Sequence, residues 1–102
     1  MSGLGRYGTG PGGDGADEVG GVGAENARFV EEVRFKPVRF REGYDMRSVD
    51  ELLDRLVDAF RAGRSVRGIV EAAQFPLVKL REGYATDEVD QFLQEVLRRD
   101  VR

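Results

Sequence analysis

The sequence predicts a mainly α protein built from two tandem helix-loop-helix units. Three observations carry that expectation. The ten-residue stretch Phe35 to Tyr44 returns as Phe75 to Tyr84, with Gly43 and Gly83 exactly 40 positions apart, and a fixed offset marks a duplicated supersecondary unit. Each copy leads into an apolar stripe stepping by three and four, Val49, Leu52, Leu53, Leu56, Val57 and Phe60 in the first and Val89, Phe92, Leu93, Val96 and Leu97 in the second. Each copy is also preceded by a shorter helical pattern, Phe29, Val30 and Val33 or Val66, Ile69, Val70 and Ala73.

Residues 1–25 are dominated by glycine, have almost nothing to bury and are expected to be a flexible tail. A phosphate-binding loop is set aside, because no strand precedes the glycines and neither the Walker nor the Rossmann spacing is present. The first unit is placed at 26–62, with Asn26 as a candidate N-cap, and the second at 63–102, with Ser65 capping a short helix to Gln74. Both short helices run into a phenylalanine, Phe35 or Phe75, with Pro37 or Pro76 to stop them.

The stretch that follows alternates, Val38 and Phe40 against Arg39 and Arg41, Val78 and Leu80 against Lys79 and Arg81, which reads as extended or looped chain. Gly43 and Gly83 are expected to supply a positive φ there. The long helices then start at Asp45 or Ser48 in the first copy, the latter with Glu51 as a capping box, and at Thr86 in the second. Gly63 ends the first long helix, and the second frays after Arg99.

Composition excludes several classes. Without cysteine there is no disulfide framework or thiolate metal site, and without histidine the commonest general base and metal ligand are missing. No metal or cofactor is expected. From Asn26 onward 15 acids balance 15 bases, so the net charge of -3 resides in the first 25 residues and nucleic-acid binding through the Arg34 to Arg41 block is not expected. Paired acids such as Asp50 with Asp54, or Glu42 with Asp45, sit among arginines as on a solvated helix face, so no catalytic residue is assigned. No apolar run approaches the roughly 20 residues that span a bilayer, and the first residues lack a secretory pattern, so the expected compartment is the cytoplasm. Only Lys36 and Lys79 are lysines, which fits a GC-rich bacterial source.

The order of short helix, phenylalanine, loop, Arg, Gly, Tyr, then Val-Asp and an apolar helix resembles the N-terminal domain of the DivIVA and GpsB family of bacterial cell-division and polar-growth proteins. Arg81, Gly83, Tyr84, Asp87, Glu88, Val89, Asp90, Phe92 and Leu93 follow the family's characteristic run. The first copy keeps Arg41, Gly43, Tyr44, Val49, Asp50 and Leu53, with Leu52 where Phe is usual. The likeness covers about residues 26 to 100. Two features depart from it: Glu42 and Glu82 intervene between Arg and Gly, and the long coiled coil through which relatives oligomerise is not seen in the sequence to Arg102.

The resemblance implies two sets of site residues. In DivIVA-like proteins a loop-tip hydrophobe and its arginine meet the membrane surface, which maps to Phe40 with Arg41 and Leu80 with Arg81, and implies peripheral association with an anionic membrane at the inner face of the cell membrane. The residues themselves leave a second reading open: Phe40 and Leu80 as core residues of a small domain, with Glu42 and Glu82 opposing an anionic surface. In GpsB-like proteins a tyrosine and two helix aspartates hold an arginine-containing segment of a partner protein, such as a division or cell-wall protein. This maps to Tyr44, Asp50 and Asp54 in the first copy and to Tyr84, Asp90 and Gln94 in the second. Asp50 and Asp54 lie one helical turn apart and so share a face, but Asp50 and Asp90 bonding within the domain remains the competing reading. Family chains pair through the long helix, so the two long helices here are expected to pair as a short coiled-coil-like pseudo-dimer within one chain, with self-association between chains as the alternative. The function implied is a non-enzymatic adaptor, or alternatively a peripheral membrane-binding module.

Overall fold

A computed structural model describes residues 21–100. Four helices and four very short strands follow one another as two α-β-β-α runs: α1 (Gly21–Glu31), β1 (Pro37–Val38), β2 (Gly43–Tyr44), α2 (Met46–Arg61), α3 (Arg67–Glu71), β3 (Leu77–Val78), β4 (Gly83–Ala85) and α4 (Thr86–Arg99). The protein is mainly α, as the periodicities predict, and it adds a four-stranded antiparallel sheet in the order β1-β4-β2-β3.

The sheet exchanges strands between the copies. The strand before the first loop tip, β1, pairs with β4 after the second tip, placing Pro37 opposite Tyr84 and Val38 opposite Gly83. The strand before the second tip, β3, pairs with β2 after the first, placing Gly43 opposite Val78 and Tyr44 opposite Leu77. At the centre β2 pairs with β4, and Tyr44 faces Tyr84. Two flanking bonds repeat the pattern at the 40-residue offset: the Asp45 amide donates to the Pro76 carbonyl at 2.9 Å, and the Ala85 amide to the Lys36 carbonyl at 3.0 Å. Strands of two or three residues are not stable alone, and here each pairs with the other copy rather than its own.

Gly43 and Gly83 serve this pairing, and the expectation of a positive φ at both is corrected. Among the described residues only Gly63, at 72°, and Phe40, at 65°, have positive φ. A Cβ on Gly83 would lie 2.7 Å from the Tyr44 carbonyl oxygen, and one on Gly43 would lie 2.9 Å from Val78's counterpart Val38, at its Cγ2. Both glycines are buried in the central strands because the facing backbone leaves no room for a side chain.

The core is a single cluster joining α1, α2 and α4. Leu56, Val30, Val49, Val66, Val89 and Val96 are its largest fully buried side chains; of the two predicted stripes, Leu53 packs against the cluster and Leu97 lies outside it. α1 packs closely along α2, with Gly23 against the Phe60 carbonyl and Ala27 and Ala59 fully buried. Phe29 stacks on Phe92 at 5.1 Å, and Phe92 in turn meets Phe35 edge-on at 5.5 Å, tying α1 to α4.

Several local expectations differ. Residues 21–25, expected in the tail, form the first turns of α1, while 1–20 lie outside the described residues. Asn26 is therefore not an N-cap. It is buried inside α1, where its Nδ2 donates to the Arg99 carbonyl at 3.3 Å and its Oδ1 accepts from Arg99 at 3.2 Å, so tertiary bonds satisfy its amide. The short helices end at Glu31 and Glu71, before the phenylalanines, because the chain must already be extended to enter β1 and β3. Ser65 lies outside α3, which starts at Arg67; its hydroxyl accepts from the Arg67 amide at 3.3 Å and donates to Asp100 at 2.7 Å.

Asp45 caps α2, accepting from the Ser48 amide at 3.0 Å. Its counterpart is Ala85 rather than Thr86, which is the first residue of α4. The two caps share nearly the same backbone, φ -55 and ψ 123 against φ -56 and ψ 122, although the methyl of Ala85 cannot accept a capping bond. The sheet, which holds both residues by their amides, therefore sets the entry into each long helix. Gly63 ends α2 as expected, with its amide donating to the Phe60 carbonyl at 3.1 Å.

Candidate functional site

The strand exchange brings both loop tips to one end of the molecule. The Phe40 amide donates to the Lys79 carbonyl at 2.8 Å, and Arg39 Nε donates to the Leu80 carbonyl at 3.3 Å. Phe40 is 71% exposed and Leu80 79%, which overturns the reading of both as core residues. Phe40 also holds a left-handed backbone that a bulky side chain resists by about 1–2 kcal/mol. Exposure of the side chain and strain of the backbone coincide at Phe40.

The cations at the tips are unequal. Arg81 pairs with Asp45 at 2.8 Å, and Ser48 donates to the other Asp45 oxygen from both its amide and its hydroxyl. These Ser48 bonds, ahead of the charge of Arg81, hold the Asp45 carboxyl below its ordinary pKa of 3.8. Arg41 makes no ion pair among the described residues, because its partner position is Ala85. Arg39 lies 5.5 Å from the centre of the Phe40 ring. Glu42 and Glu82 are exposed beside these cations.

The tyrosines and aspartates meet across the copies. Tyr44 of the first copy donates its hydroxyl to Asp90 Oδ1 of the second at 2.8 Å, and Tyr84 donates to Asp50 Oδ1 at 2.8 Å. The expected groupings are thereby recombined. Tyr84 shares a groove of about 520 Å³ with Asp50 and Asp54, whereas Tyr44 shares one of about 750 Å³ with Asp90 and Gln94. In each groove the tyrosine ring rests on the phenylalanine that precedes its partner strand, Phe35 on Tyr84 at 5.3 Å and Phe75 on Tyr44 at 5.0 Å. Burial, and then the bond to an anionic carboxylate, pushes both phenols above their ordinary pKa of 10.0.

Asp50 and Asp90 thus each accept one bond within the domain, as the competing sequence reading had it, and neither forms an ion pair among the described residues. A carboxylate can accept about four hydrogen bonds, so capacity remains for an added donor. No protein-family model, curated protein or solved structure matches this chain. The geometry therefore carries the functional reading.

Sequence reasoning missed Arg34 as a groove residue. It lines the groove of Asp50, Asp54 and Tyr84, and its guanidinium donates to the carbonyls of Glu31 at 3.2 Å and Val33 at 2.7 Å. The available signal was the offset itself, since the second copy has Gln74 at the corresponding position. Among the described residues no cluster of three or more acids is arranged to hold a metal ion, and no helix is long and apolar enough to cross a membrane.

Proposed function

We propose that this chain is a non-enzymatic binding module of the DivIVA and GpsB kind, an adaptor in bacterial cell division or polar growth that captures a cationic segment of a partner protein. The observation that carries this reading is the crossed pair of tyrosine-aspartate bonds. Each holds a carboxylate at the rim of an apolar groove, with capacity left to accept from a guanidinium. The tandem copies act as an intramolecular pseudo-dimer, supported by the strand exchange and by the single core that the stripes of α2 and α4 share. Affinity capture from the native cell, with membranes retained, tests this. Asp50→Ala combined with Asp90→Ala is expected to lose the partners that the parent chain retains; identical partner sets would refute the groove.

The exposed tips favour peripheral membrane binding as a second, compatible reading. Phe40 and Leu80 form an apolar wedge among Arg39, Arg41, Lys79 and Arg81, each cation near an anionic surface being worth about 1 kcal/mol. Co-sedimentation with phosphatidylglycerol vesicles at low salt, lost in Phe40→Glu with Leu80→Glu, supports it. Absence of binding by the parent chain ends it.

A further inference from the structure

The turn between α2 and α3 carries a serine that neither the grooves nor the tips use. Ser65 is exposed, and its hydroxyl donates at 2.7 Å to the Asp100 carboxylate oxygen that also accepts from the Arg67 amide at 3.1 Å. This clasp fastens the end of α4 to the first residue of α3. One residue earlier, Arg99 fastens the same end to α1: it exchanges two bonds with Asn26, and its guanidinium lies 3.8 Å from the centre of the Phe29 ring. Both short helices are thereby tied to one point.

The 40-residue offset shows what charge the position tolerates. Ser65 corresponds to Glu25, an exposed acid. Arg61, Arg64 and Arg67, which surround Ser65, correspond to Gly21, Ala24 and Ala27, so these arginines are particular to the second copy. Asp100 corresponds to Phe60, so the first copy has no carboxylate where the second has its clasp. A negative charge is built into one copy, while the other holds a hydroxyl among cations and against a carboxylate. Arg64 forms no ion pair among the described residues, and Arg67 reaches Glu71 only at 3.4 Å.

We propose that Ser65 is a phosphorylation site, the substrate of a separate serine kinase that selects arginine-flanked sequences, and that its phosphate opens the clasp at Asp100. Residues 61–65 are all exposed, with arginine four and one positions before the serine and two after it, so the turn presents both hydroxyl and cations to a kinase cleft. In the transfer the Ser65 Oγ attacks the γ-phosphorus of ATP. The Oγ–P bond forms as the bond from that phosphorus to the β-phosphate oxygen breaks, ADP leaves, and the hydroxyl proton passes to the kinase's catalytic base. The product has lost the donor that held Asp100 and carries about 1.5 to 2 negative charges beside that carboxylate. The phosphate turns to Arg64 and Arg67, and the end of α4 loosens together with its hold on α1. None of this depends on what the grooves or the tips bind.

The test begins with the full chain, ATP and a purified arginine-directed serine kinase, read by mass spectrometry. One phosphate per chain is expected, lost in Ser65→Ala and formed about tenfold more slowly in Arg64→Ala. Transfer to Ser48, which follows Arg47, in preference to Ser65 would overturn selection by the turn. The chain captured from its native cell is expected to carry the same phosphate, and its absence in every growth phase would overturn the site. Hydrogen exchange of the phosphorylated chain should quicken about ten- to hundredfold in the last turn of α4 and in α1, the scale of a lost hydrogen bond to a charged group, while α2 keeps its rates. Ser65→Glu, which copies Glu25 into the second repeat, should move the same amides in the same direction; Ser65→Ala, which removes the bond without adding charge, should move them less. In Asp100→Asn, phosphorylation should make no further difference. Unchanged exchange after phosphorylation, or the same acceleration in Asp100→Asn, would overturn the clasp.

Discussion

Replacing Gly83 with alanine probes the strand exchange at its tightest point. The added methyl would lie 2.7 Å from the Tyr44 carbonyl oxygen, 2.8 Å from Val78 Cγ2 and 3.0 Å from the Gly43 carbonyl carbon. Comfortable contacts between such atoms are about 3.5–4.0 Å, so β2 and β4 must separate by roughly 1 Å or the ladder between the copies must break. Two of these three atoms are backbone, fixed by the pairing itself, so side-chain repacking cannot relieve the clash. Overpacking of this kind costs about 1–3 kcal/mol, which in a domain of this size lowers Tm by roughly 5–20 °C. Gly68→Ala is the internal control: Gly68 is in α3 with nothing within 4 Å of its added Cβ, and the same substitution there should stabilise by about 0.5–1 kcal/mol. Urea unfolding followed by far-ultraviolet circular dichroism measures both. Gly83→Ala within 0.5 kcal/mol of the parent chain would refute the close approach of the copies.

Leu56→Ala removes the largest fully buried side chain and should cost about 2–5 kcal/mol in the same unfolding assay. Phe40→Glu with Leu80→Glu should change stability by less than about 0.5 kcal/mol, because both side chains are in solvent; a larger loss would mean that the tips are packed. Because folding lowers the Asp45 pKa below 3.8, its contribution is present above that value and is lost as pH falls through the lower folded value. Asp45→Asn should therefore flatten the acid limb of the stability profile below about pH 4, and an unchanged limb would exclude the Ser48 and Arg81 bonds.

Much of the α structure was legible in the residues. All of the α2 stripe and all of the α4 stripe except Leu97 lie in or against the core, Asp45 capped α2, and Gly63 ended it. The strand partners were not legible, because Val38 and Val78 have the same alternation around them and nothing local distinguishes pairing within a copy from pairing across copies. The roles of Gly43 and Gly83 were misread for the same reason: their requirement comes from a facing strand about 40 residues away in the sequence, not from their own φ. Asn26 looked like a cap because capping is the commonest local use of asparagine, while its actual partner, Arg99, is at the far end of the chain. The tyrosines and aspartates could be singled out from the residues, but how they group in space could not. Tyr44 and Asp50 are close in sequence and belong to different grooves.

That regrouping is the central structural claim, and a double-mutant cycle tests it directly. Tyr84→Phe and Asp50→Asn, singly and together, should show a coupling of about 0.5–1.5 kcal/mol in urea unfolding at neutral pH, as should Tyr44→Phe with Asp90→Asn. The within-copy pairs, Tyr44 with Asp50 and Tyr84 with Asp90, should be additive within about 0.3 kcal/mol. Coupling within a copy and additivity across copies would contradict the crossed site.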